Sequence, residues 1–121
     1  MMLIRNGKPE PVDSVNSYLS QPHPRTAVAL DESGRRLILI VVDGRQPNYS
    51  EGVTIPKLID IVQTYGGYNA LNLDGGGSVT LAVEGGNGQP IVLNSPIHSH
   101  IPGLERPVAN HLGLFAEVGH D

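Results

Sequence analysis

Cysteine and tryptophan are missing from this 121-residue sequence, and phenylalanine occurs once. Without thiols there can be no disulfide framework, zinc–thiolate site or cysteine nucleophile, and the redox compartment stays unread. Charge is also sparse. Eight basic residues against twelve acidic ones leave a net charge of -4, which argues against a nucleic-acid or anionic-membrane binder acting through bulk positive charge. Any anion site must therefore be built locally. No apolar run approaches the roughly 18 residues that would cross a bilayer, and Met1 to Pro9 turns polar too soon for a signal segment. As written, the chain reads as soluble and untargeted, with a small molecule, not nucleic acid or membrane, as the expected partner. Its compartment is left open.

What is present describes one globular domain long enough to bury a core: 39% of the residues are hydrophobic and 17% charged. Residues 1–24 carry Pro9, Pro11, Pro22 and Pro24 and read as a short strand near Leu3 and Ile4, an Asn6-Gly7 turn, then an irregular arm. Arg25 to Leu30 reads as a strand, Asp31 to Gly34 as a hairpin turn, and Leu37 to Val42 as an unbroken branched run. Such a run is the pattern of a central strand covered on both faces. Thr54 is the expected N-cap of the one long helix, over about 54–66, with Pro56 in its first turn and Gly66-Gly67 as its left-handed end. Further strands are expected over Tyr68 to Leu73, Ser78 to Val83, Ile91 to Leu93 and Pro107 to Glu117, with a long loop from Asn94 to Arg106.

These elements predict an α+β fold, a largely antiparallel mixed sheet of five to six strands with one main helix on one face. A single helix cannot cover both faces of a sheet whose central strand is buried twice. The second face is then expected to be covered by a partner chain, such as a second copy, by the proline-rich arm, or by a segment this chain lacks.

The stretch from Leu71 to Leu81 reads as strand, tight glycine turn, strand, with Asp74 before Gly75-Gly76-Gly77 and the hydroxyls of Ser78 and Thr80 after it. Three consecutive glycines lose much backbone entropy on folding, so the run implies positive φ or close approach of something to the backbone. A loose hairpin is the plainer reading. A second strand end, Asp43-Gly44-Arg45, repeats the pairing of acid and glycine and adds a cation.

Pro24-Arg25-Thr26-Ala27, Val42-Asp43-Gly44-Arg45, Gly52-Val53-Thr54, Asn72 to Ser78 and Glu105-Arg106-Pro107-Val108-Ala109-Asn110 stand in the order seen in the phosphodiester glycosidase family, which the chain resembles over roughly residues 24–118. Five motifs in register are specific where any one would be weak. In that family an asparagine-, glycine- and phenylalanine-rich half precedes these motifs. The resemblance is therefore to the C-terminal portion of the domain, 25–118, behind an arm of 1–24. It implies hydrolysis of a sugar phosphodiester or related α-glycosidic bond. The alternative is a non-catalytic anion- and sugar-binding module that another chain completes.

Such chemistry needs an anion grip, a carboxylate facing an oxocarbenium-like centre, and activated water. Arg25, Arg45 and Arg106 are the candidate phosphate ligands, because a guanidinium fork donates to two oxygens at once; backbone amides of Gly75, Gly76 and Gly77 would assist as a nest. For each arginine the plainer reading is a structural ion pair, Arg45 with Asp43 or Arg106 with Glu105. Asp74 is the first candidate catalytic carboxylate, followed by Glu105 and Asp43, against an Asx-turn role for Asp74. Ser78 and Thr80, of equal parity, and Asn110 are candidate sugar or phosphate contacts. A Ser78 nucleophile is disfavoured for want of a Gly-x-Ser-x-Gly elbow. His98 and His100 read as solvated loop residues before metal or acid roles, and His111 and His120 as structural or tail residues. No cofactor or metal is expected, though three carboxylates near phosphate would suit a divalent cation.

Overall fold

The computed structural model describes residues 1–117. The helix over Ile55–Thr64 begins as its sequence dictates: the Thr54 hydroxyl accepts from the Lys57 amide at 3.2 Å, and Pro56 occupies the first turn, where its missing N–H is not needed. Gly66, at φ +92°, ends it. The Gly66 amide donates to Gln63 O and the Gly67 amide to Val62 O, the paired bonds of a Schellman motif. Ile55, Leu58, Ile59 and Val62 share its buried face. A four-residue helix, Ser17–Ser20, precedes it in the arm, so the two are α1 and α2 in chain order.

Five strands form one sheet: β1 (Met2–Arg5), β2 (Lys8–Pro9), β3 (Arg25–Leu30), β4 (Leu37–Val42) and β5 (Asn69–Asn72), in spatial order β2-β1-β5-β3-β4 and antiparallel at every pairing. The fold is α+β with one main helix, as expected. Asn6 and Gly7, both at positive φ, make the two-residue turn of the first hairpin. The core consists of Leu3, Ile4, Ala27, Ala29 and Ala70 from the sheet against Ile55, Leu58, Ile59 and Val62 from α2. Small residues on β3 and β5 let the helix approach closely, and each large side chain so buried stabilises the fold by about 1.5–3 kcal/mol.

Three expectations need correction. The run Leu37 to Val42 is not central but the edge strand β4, with Leu37 44% and Leu39 38% exposed, because it pairs only with β3 and one face of the sheet has no covering layer among the described residues. The strand expected over Ser78 to Val83 shrinks to β6 (Ala82–Glu84), which pairs with β7 (Pro90–Val92) apart from the main sheet, because the glycines turn into a one-turn 3-10 helix at Gly76–Ser78. The last strand, expected at Pro107 to Glu117, does not form. It has no neighbouring strand to bond, Pro107 lacks an amide donor, and Leu112, Leu114 and Phe115 lie exposed.

The short strand expected near Leu3 and Ile4 forms as β1, with both residues fully buried in the sheet, and the irregular part of the arm begins at Glu10, interrupted by α1. Within the long loop a short hairpin appears, β8 (Ile97–His98) and β9 (Ile101–Pro102). No helix of the described residues is long and apolar enough to cross a membrane. His120 lies outside the described residues.

Candidate functional site

The glycine run is a floor. A Cβ on Gly75 would lie 2.8 Å from the Pro24 carbonyl oxygen and 3.0 Å from the Tyr18 hydroxyl. Gly76 is left-handed at φ +58°, and a Cβ there would lie 3.2 Å from both terminal nitrogens of Arg45. On Gly77 it would meet Arg106 Nη1 at 3.2 Å and the Ile97 carbonyl at 3.1 Å. Two guanidinium groups thus rest on adjacent glycines, which explains why side chains are unwelcome here. The Gly76 amide donates to the Pro24 carbonyl at 3.0 Å, so one of the three amides expected in an anion nest is already engaged.

Asp74 joins this floor through its neighbours. The Ser78 hydroxyl donates to Asp74 Oδ2 at 2.6 Å and accepts from Arg106 Nη2, whose distance to the same carboxylate oxygen is 3.8 Å. The Asx-turn bonds to Gly76 or Gly77 are replaced by this carboxylate–hydroxyl–guanidinium chain. The Asp74 side chain is 79% exposed, so the partial desolvation expected for it does not occur in the described residues. Thr80 follows in irregular backbone, half-buried, so parity along a strand does not pair it with Ser78.

Asp43 has a different office. Its carboxylate accepts from the Ser95 amide at 3.0 Å, Asn94 Nδ2 at 3.1 Å and the Tyr49 hydroxyl at 2.7 Å. Buried Gln46 adds a reciprocal pair with Ser95, donating to its carbonyl at 2.8 Å and accepting from its hydroxyl at 2.7 Å. Asn94 in turn accepts from the Leu81 amide and donates to the Val79 carbonyl, each at 2.8 Å. The end of β4 therefore anchors the loop that carries β8 and β9 beside the glycine floor. Neither Arg45 nor Arg106 makes the neighbour ion pair offered as its plainer reading; among the described residues the ion pairs are Arg5 with Glu10 and Arg106 with Asp74.

Arg25 is fully buried. It donates to the carbonyls of Val53 at 2.9 Å, Tyr18 at 2.6 Å and Gln21 at 2.9 Å, and its guanidinium lies 4.8 Å from the centre of the Tyr18 ring. It clamps the arm to the body of the protein and does not line the site. Glu105 and Asn110 are exposed and, like Asp74, Ser78 and Thr80, line neither of the two cavities described next; exposed His111 does not either.

A pocket of about 80 Å³ lies between Arg45 and Arg106, closed by Gly77, Ile97, His98, Ser99 and His100. Beyond Arg45 opens a cleft of about 400 Å³, lined by Pro22, His23, Arg45, Gln46, Pro47, Glu51 and His100. Three non-glycine residues at their walls have positive φ: Arg45 at +56°, Ser99 at +52° and His100 at +61°. Backbone held in so sparsely populated a region costs about 1–3 kcal/mol per residue and concentrates at functional sites. Ser99 and His100 form the two-residue turn between β8 and β9, a place where glycine or asparagine would be ordinary.

Sequence reasoning missed His23. Its ring stacks on Tyr18 with centroids 4.7 Å apart and planes 18° from parallel, and Arg45 Nη2 lies 3.4 Å from His23 Nδ1. Burial, then the charges of Arg45 and Arg25, hold its imidazole below the ordinary pKa of 6.5. No pattern in the sequence marks it: Gly52, at φ +97°, leaves room for the His23 backbone, which pairs with Val53 as an isolated bridge. No three His, Asp or Glu side chains among the described residues gather to hold a metal ion.

The sequence profile of the phosphodiester glycosidase family matches residues 1–115, starting well before the motifs that carry the resemblance. An uncharacterized SPbeta prophage-derived protein of Bacillus subtilis, YomE, is 33% identical over 113 residues, 93% of this chain and 16% of that protein. The N-acetylglucosamine-1-phosphodiester alpha-N-acetylglucosaminidase of Bos taurus is 35% identical over 72 residues, 60% of this chain and 13% of that enzyme. Among solved structures, the catalytic domain of the zebrafish enzyme of the same name superposes with a TM-score of 0.61 at 27% identity, covering 79% of this chain and 33% of that one. The chain thus spans about a seventh of the curated relatives and a third of the zebrafish domain.

Proposed function

Because the chain belongs to the phosphodiester glycosidase family, we propose that it hydrolyses a sugar phosphodiester, or a related α-linked glycosidic bond, at the pocket between Arg45 and Arg106. The observation that carries this reading is the pair of guanidinium groups resting on one glycine floor, with Asp74 tied to one of them through Ser78. A singly charged phosphodiester fits between two planar donor forks, and a pocket of about 80 Å³ suits its size. Phosphate is already a fair leaving group, so the larger demand falls on the positive charge developing at the anomeric carbon. Asp74, linked to Arg106 through the Ser78 hydroxyl that fixes its orientation, is the carboxylate assigned to oppose it. Asp43, whose carboxylate is engaged by Asn94, Ser95 and Tyr49, is assigned to holding the loop.

The test is sugar release from a nitrophenyl phosphodiester of N-acetylglucosamine. Asp74→Asn is expected to lower turnover by about 10²-fold or more, the scale of losing a group that stabilises transition-state charge. Unchanged turnover in that variant sinks the assignment.

A second reading is favoured by the uncovered sheet face, where Leu30, Leu37, Leu39 and Leu71 are 38–44% exposed. On this reading the chain binds anion and sugar but acts only when another polypeptide, a second copy included, covers that face. Sedimentation at micromolar concentration discriminates: assembly supports completion, and a well-behaved monomer with full activity excludes it.

A further inference from the structure

We propose that the free edge of β4 is an interaction surface for a second copy of this chain, which pairs there antiparallel about a two-fold axis at Leu39 and joins the two five-stranded sheets into one. The inference stands apart from the reading of the anion pocket. It concerns the edge of the sheet, not its uncovered face.

The two edges of the sheet are built differently. At one, β2 is two residues long and consists of Lys8 and Pro9, a short strand blunted by a charge and by a missing donor. At the other, β4 runs for six residues, Leu37 to Val42, with no charge, proline or bulge, and pairs in unbroken register with β3 alone. The Asp31 amide donates to the Arg36 carbonyl at 3.1 Å, while the Thr26 and Leu30 carbonyls accept from the Leu73 and Tyr68 amides on the far side of β3. Alternation along the antiparallel ladder therefore turns the main-chain groups of Leu37, Leu39 and Val41 outward, where no described strand pairs with them. An edge so long and so aliphatic is a template for another strand.

What fits this edge is its own sequence. Arg35 and Arg36 precede the apolar run and Asp43 follows it, so an antiparallel mate brings the cationic start of each copy to the acidic end of the other. With Leu39 across from its twin, Leu37 faces Val41, Ile38 faces Ile40, and Arg35 faces Asp43 at both ends of the contact. Moving the mate by two residues puts Asp43 across from Leu37, or Arg35 across from Val41, which sets a charge against an aliphatic side chain. A one-residue slip would turn outward main-chain groups toward inward ones and exchange the two faces. The chosen register opposes outward groups to outward groups at all three positions. Its axis stands perpendicular to the sheet, so both copies of α2 lie on one side and Leu37 and Leu39 of both copies on the other, an isologous contact that closes at two chains.

Because the chain has no cysteine, a single introduced thiol reports the register directly. Sedimentation is expected to show a monomer–dimer equilibrium at micromolar concentration. Under mild oxidation Leu39→Cys should form a disulfide-linked dimer, since a hydrogen-bonded antiparallel pair holds its Cα atoms about 5.5 Å apart, within disulfide reach. Leu71→Cys, exposed on the uncovered face in the middle of the sheet, should stay uncrosslinked. Val41→Pro, which deletes an outward amide and spares the ladder to β3, should weaken dimerisation about tenfold or more, the scale of two lost backbone bonds. Arg35→Glu should weaken it less, with the larger loss at low salt. Cooperative melting of the reduced and proline variants at dilution confirms the single-chain fold, and the Leu39→Cys crosslink decides the matter even if proline is not tolerated. A wild-type chain that stays monomeric overturns the inference, as does a dimer that a folded Val41→Pro leaves intact. Crosslinking of Leu71→Cys in place of Leu39→Cys moves the contact to the uncovered face and overturns it too.

Discussion

The two faces of the five-stranded sheet carry similarly apolar residues and meet different fates. Toward α2, Leu3, Ile4, Ala27, Ala29 and Ala70 are buried to 4% exposure or less, against Leu58 and Val62 at 0%. On the opposite face Leu37 lies across from Leu30, and Leu39 and Leu71 both lie across from Val28. Four leucines there remain 38–44% exposed. A stripe so apolar is unusual on a solvent face, where antiparallel strands ordinarily alternate to polar residues. The apolar pattern of these strands is compatible with a covering layer, and among the described residues only one face has it. The candidate site shows the same split: its floor and two arginine walls are in place, while Asp74 stands open to solvent.

Substitutions on the two faces should differ in the size of their effect. Leu58→Ala, on the packed side, is expected to lower unfolding free energy in urea by about 2–5 kcal/mol, the range for truncating a fully buried leucine. Removing the helix N-cap by Thr54→Ala should cost about 1 kcal/mol in the same measurement. Leu39→Lys, on the open face, should stay within about 0.5 kcal/mol for the isolated chain, as surface substitutions do. A large loss there would mean that the face is covered in solution, and the difference between faces would vanish. If a second chain covers it, Leu39→Lys should disperse the assembly while leaving the isolated fold intact, as sedimentation would show.

The smallest effect is a pH dependence. Because His23 is held below 6.5 in the folded protein, the unfolded chain binds its proton first as pH falls. Stability from this group is full above about 6.5, declines below it, and stops declining once pH passes beneath the lowered folded value. The melting difference between wild type and His23→Gln should therefore be constant above that pH and shift below it, with the wild type losing more.

Much of the fold was legible because its signals are local. Thr54, Pro56 and Gly66-Gly67 bracket α2 by hydrogen bonds and φ preferences that reach no further than five residues. Asn6-Gly7 and Asp31 to Gly34 mark their turns for the same reason, the Asp31 carboxylate accepting from the Ser33 hydroxyl at 2.7 Å. The place of β4 was not legible, since a doubly apolar run states what could cover a strand and not whether anything does. The final strand failed similarly, because a strand exists only through its neighbours. At the site, the glycine run, Arg45 and Arg106 announced themselves by spacing. Arg25 and Asp43 carried the same signals and proved to be a clamp and a tether, distinctions made by partners 28 and 52 residues away. His23 gave no pattern of its own and gained its place from Tyr18 and Arg45.

Local preference was enough for the helix and its caps, most of the strands, the family, and a run of three glycines in which side chains are unwelcome. Those follow from backbone preferences and short-range periodicity, which each segment carries with it. Packing across space settled which arginines lie on the glycine floor and which clamps the arm, which carboxylate is linked to Arg106 through Ser78 and which ties a loop, and which sheet face is filled. Such choices depend on what lies across space from a residue, and a charge, a hydroxyl or a leucine reads the same in the chain whichever neighbour it finally meets.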